Sequence, residues 1–219
     1  MRFLACISAL VTAAACAGTD TSDVPPGRLR VLADHELIGH LRQISGRLTG
    51  DTIHLYSPGF ADSLSPMSGL ELDTAYYRFF RPFYPQMTSD RALFAVGYFD
   101  VVERMTAYVL RVPSLYSSTA LALWVRHEAE EYWLPPRIVA DGYGDAEWSF
   151  RHDAWLVDRD GDGDRDLIQR RTDWVDIGET VYRDSLKWTF WQEAFDQWGW
   201  SRDITDSADV LPFRLSHGR

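Results

Sequence analysis

Five aspartates at alternate positions, Asp158, Asp160, Asp162, Asp164 and Asp166, with Gly161 and Gly163 among them, constrain this chain more than any other stretch. Trp155, Leu156 and Val157 lead into the run, and Leu167 and Ile168 lead out of it. Both flanks are short, β-rich and without helical periodicity, which predicts the tip of a β-hairpin between two strands. Two like charges ~4 Å apart repel by about 1 kcal/mol even in water, and several crowded into one turn repel collectively. A bound cation reverses the sign of that arrangement. Ca²⁺ takes roughly 6–8 hard oxygens at about 2.3–2.6 Å, drawn from carboxylates, carbonyls and water. Counted from Asp158, the carboxylates at positions 1, 3, 5 and 9 are Asp158, Asp160, Asp162 and Asp166. Position 7, Asp164, offers its backbone carbonyl, and Gly163 falls at position 6, where the chain must turn sharply. The alternative is a solvated acidic turn that holds no ion.

The pattern Asp-x-Asp-Gly-Asp-Gly-x-x-Asp-Leu, from Asp158 to Leu167, resembles the calcium loop of FG-GAP/VCBS repeats. It is similar more distantly to EF-hand and dockerin loops. Two residues depart from the EF-hand pattern: Arg165 stands where a hydrophobic residue is usual, and Gln169 stands at the twelfth position in place of a bidentate Glu. The resemblance covers about ten residues and a single copy, so it does not extend to a propeller of several such repeats.

The N-terminus carries the second signal. Met1-Arg2 is a minimal positive region, residues 3–12 are apolar, and Ala13-Ala14-Ala15-Cys16 closes the run. An apolar stretch this short suits a secretory signal and falls below the about 20 residues of a spanning helix. The small residues before Cys16 resemble a bacterial lipobox, which implies cleavage before Cys16 and lipidation of its thiol. The only other cysteine, Cys6, lies inside the apolar run, so cleavage leaves no pair for an internal disulfide. Ordinary cleavage after Ala15, leaving Cys16 free, is the competing reading. Ala17 rather than Asp follows the cysteine, which in lipoproteins of double-membraned bacteria implies passage to the outer membrane. The expected location is therefore the bacterial cell envelope, with the membrane as a partner through the lipid anchor.

Composition narrows the class. The formal net charge is −10, which sets electrostatics against a nucleic-acid partner. Hydrophobic residues make up 46% and charged residues 25%, a balance that supports a folded body with its own core. No internal repeat is visible at periods of 20–50 residues.

Residues 16–28, with Pro25-Pro26-Gly27, read as a tether after a signal at 1–15. In residues 34–45, Leu37, Ile38, Leu41 and Ile44 recur at helical spacing behind Asp34 as N-cap. Residues 52–56 alternate like a strand, and 57–69 are rich in Ser, Pro and Gly and read as a loop. The aromatic run Tyr76 to Tyr84 reads as packing between this small α+β part (29–90) and the C-terminal body. From residue 91 the texture becomes β, with strands expected at 92–99, 106–112, 119–127, 132–140, 149–157, 167–174 and 185–191. The fold class is accordingly mainly β: an antiparallel meander in residues 91–219, closing as a sandwich, barrel or blade-like stack, with a small helical N-terminal part. Residues 29–219 could equally form one domain.

Several stretches imitate catalytic motifs and fail on spacing. His35 and His40 are five apart, which turns them off a common helix face and away from zinc-protease geometry. Gly142-Tyr143-Gly144 lacks the third glycine and the strand–turn–helix context of a dinucleotide site. His54, His127, His152 and His217 show no ligand spacing and read as surface or hydrogen-bonded structural residues. All nine tryptophans lie from Trp124 onward, and Trp198 and Trp200 would share one face of a strand. They could fill a core or form a platform that stacks sugars. The functional expectation is an envelope-anchored binding or scaffold module with structural calcium and a glycan or envelope protein as partner. The alternative is a glycan-active hydrolase or carbohydrate-binding module in which calcium only stabilises.

Overall fold

The computed structural model describes residues 35–58, 64–81, 91–114, 119–144, 148–176, 180–192 and 197–204, with the backbone path alone at 176, 180–184, 190–192 and 197–202. The expected signal, tether, Asp34 cap and Cys16 lie outside these residues. Among the described residues no helix is long and apolar enough to cross a membrane.

The protein is mainly β. Helix α1 (His35–Ile44) opens it, followed by strands β1 (Gly46–Arg47), β2 (Thr52–Leu55) and β3 (Leu70–Glu71) and the short helix α2 (Tyr77–Phe80). Nine further strands follow: β4 (Phe94–Val102), β5 (Met105–Pro113), β6 (Thr119–His127), β7 (Tyr132–Trp133), β8 (Arg137–Gly144), β9 (Trp148–Val157), β10 (Asp166–Asp176), β11 (Thr180–Gln192) and β12 (Gln197–Asp203). They form one sheet in the order β1-β4-β5-β6-β8-β9-β10-β11-β12, with β2 on β9, β3 on β4 and β7 on β6. Among the described residues only the β1–β4 pairing is parallel.

The expected single strand over 132–140 is instead β7 and β8, separated by Leu134–Pro136. Pro135 and Pro136 have no N–H to offer the ladder, so the pairing must break there. That break lets β8 serve both halves of the sheet. Leu121, Ala122 and Leu123 of β6 pair with Ala140, Ile138 and Arg137, while Asp141 to Gly144 pair with β9.

The two halves face each other across a shared core. One face of β5 and β6 presents Met105, Ala107, Val109, Leu121, Leu123 and Val125 to Ala154, Leu156 and Leu167 of β9 and β10. The opposite face presents Tyr108, Leu110, Val112, Ala122 and Trp124 to Leu37, Ile38 and Leu41 of α1 and Phe80 of α2. Residues alternate between the two sides because successive side chains of a strand point oppositely. Trp124 and Trp133 stack at 4.0 Å between ring centroids, with Phe80 against Trp124 at 4.7 Å. The aromatic run from Tyr76 thus does pack the N-terminal part on the sheet, through Tyr77 and Phe80; residues 82–90 lie outside the described set.

The N-terminal elements are bound into the same sheet. β2 lies beside the C-terminal half of β9. There the His54 ring stacks on Trp155 at 4.6 Å, and its Nε2 lies 3.0 Å from Oδ2 of the buried Asp153. Arg151 donates to the same carboxylate at 2.9 and 3.0 Å, so Asp153 is charge-paired on β9 itself.

Candidate metal loop

β9 and β10 are antiparallel partners in register from Asp166↔Val157 to Val175↔Trp148, and residues 158–165 connect them. The loop is therefore a hairpin tip, as the flanking pattern predicts. Gly161 and Gly163 have φ of +80° and +93°, a region that costs a side-chain-bearing residue about 1–2 kcal/mol. These glycines let the chain turn sharply within the hairpin tip.

Asp158, Asp160 and Asp162 are exposed, and each brings a carboxylate oxygen within 4.8 Å of the others. Such an acidic triad is compatible with a metal ion. The turn is held locally by its own carboxylates: Gly161 N and Gly163 N donate to Asp158 Oδ1 and Oδ2 at 2.8 and 3.1 Å, and Asp164 N donates to Asp162 Oδ1 at 2.9 Å. These bonds aim two backbone amides at Asp158 and one at Asp162.

Asp166 does not join the triad. It is buried at the first position of β10 and accepts a 3.0 Å hydrogen bond from Arg159 N. Burial pushes its carboxyl up to about 6, with Asp160 and Asp162 adding to the rise, while the Arg159 amide and the Trp188 indole pull it down. A carboxylate near two like charges in a desolvated place is costly to ionise.

Arg165, the departure from the EF-hand pattern, has a structural role that its loop position alone does not announce. Its backbone N donates to Val101 O at 3.0 Å, and its guanidinium donates to Gly50 O at 2.9 Å and Asp51 O at 3.2 Å. One residue thereby ties the loop to β4 and to the β1–β2 connection. Gly163, Asp164 and Arg165 line an open depression of about 800 Å³ together with Arg47, Asp100 and Arg104.

Comparison with known proteins finds no matching family model, no matching curated protein and no matching solved structure.

Trp198 and Trp200 sit on β12, with Trp198 opposite Trp191 of β11; their side chains lie outside those described. His35 is exposed, with Nε2 3.6 Å from a Glu131 carboxylate oxygen, and the His40 ring stacks on Tyr76. His152, read from the sequence as structural, sits in a polar network on the inner face of β9. Gln169 Oε1 accepts from Arg137 Nη2 at 3.1 Å, which fixes the amide so that Gln169 Nε2 donates to His152 Nε2 at 3.0 Å. The imidazole therefore keeps its proton on Nδ1. Burial lowers its pKa to about 4. No sequence motif marks this network, because its members are neighbours only through strand register.

Proposed function

We propose that the protein is a lipid-anchored binding or scaffold module of the bacterial envelope, steadied by Ca²⁺ in the 158–166 loop. The observation that carries the metal reading is the convergence of the Asp158, Asp160 and Asp162 carboxylates at a glycine-rich hairpin tip. Three carboxylates and the Asp164 carbonyl supply four oxygens, and water completes a sphere of roughly 6–8. Asp166, held back by the Arg159 amide, would act through water, as the ninth position of such loops often does. Mg²⁺ suits the site less well, because it demands near-octahedral geometry at about 2.0–2.1 Å and holds its own waters.

Calcium here has a structural task. The loop is bonded through Arg165 to the β1–β2 connection and to β4, so a cation that freezes it braces three segments from distant parts of the chain. The support for the envelope is the signal-like N-terminus and the lone cysteine that cleavage would leave at position 16.

Calorimetric titration of the metal-free protein tests the metal reading. Heat of binding with a dissociation constant at or below about 10⁻³ M is the expected result, in the range of extracellular modules. No heat and no thermal shift at millimolar Ca²⁺ would leave the loop a solvated acidic turn.

A further inference from the structure

We draw no further inference here: the strongest candidate, the open depression between the acidic hairpin tip and the β4–β5 turn, lined by Arg47, Arg104 and Arg165, carries nothing because each guanidinium already has its partner in Asp100, Glu103 or the carbonyls of Gly50 and Asp51, and nothing in the structure shows what would fill it.

Discussion

The Arg165 guanidinium donates to the carbonyl oxygen of Gly50 at 2.9 Å, across 115 positions of sequence. With the second bond to Asp51 O, it couples the acidic hairpin tip to the start of β2. A separate bond, from the Arg165 amide to Val101 O, ties the tip to β4.

Arg165→Ala should therefore destabilise the protein modestly, by about 1 kcal/mol, because both carbonyls remain able to bond water. Its larger effect should be on calcium, whose affinity should fall several-fold as the loop gains freedom it must lose on binding. Chemical denaturation and calorimetry of the variant, each with and without Ca²⁺, separate the two effects. Equal metal affinity in variant and parent would show that the clamp and the loop act independently.

Gly163→Ala probes the turn itself. A Cβ at this position would meet nothing within 4 Å, so any cost is conformational and not steric. At φ +93° that cost should be about 1–2 kcal/mol without metal. With calcium present the gap should widen, since a strained tip gathers the three carboxylates less well. The check is the difference in melting temperature between variant and parent at several Ca²⁺ concentrations. For the parent, ten-fold excess over Kd should add about 1.4 kcal/mol, or roughly 3–6 °C.

Much of the β body is legible from sequence, for identifiable reasons. The expected strand 119–127 matches β6 at both ends, because hydrophobic residues fill both of its faces and polar turns bound it. The hairpin character of the aspartate loop follows from its β-rich flanks, and α1 from its four-residue apolar repeat. The break at Pro135-Pro136 is equally visible in the sequence, but the apolar residues around it outweigh it. Other features belong to no local pattern. Gly46 beside Gly97 and Thr52 beside Val157 are pairings of two to four residues between distant segments. The row Asp141–His152–Arg171 exists only once three strands are in register.

The lipid anchor has a direct test. Cys16→Ser should move the protein from the membrane fraction to the soluble fraction and remove acyl mass from its N-terminal peptide. The folded body should keep its melting temperature, because residue 16 lies 19 positions before α1 begins at His35. A parent protein found soluble and unacylated would instead support cleavage after Ala15 with a free thiol.

His152 should make the fold acid-sensitive. Its pKa is lowered to about 4 in the folded state, against an ordinary value of about 6.5 in the unfolded chain. The unfolded chain therefore binds the proton first. Stability is full above about pH 6.5, falls as the pH drops toward 4, and is constant below, with a total loss of up to about 3 kcal/mol. Burial is the main cause; the nearby cations Arg171 and Arg137 also oppose the imidazolium, and Asp153 favours it. Asp141, paired with His152 across β8 and β9, acts in the opposite sense. Its raised pKa means the folded state takes up that proton first, so part of the loss is offset as the carboxyl protonates. His152→Gln should flatten the profile between pH 6.5 and 4, while Asp141→Asn should steepen it. Denaturation midpoints at half-unit pH intervals read both slopes. A parent profile flat through this range would mean that His152 reaches its proton without unfolding.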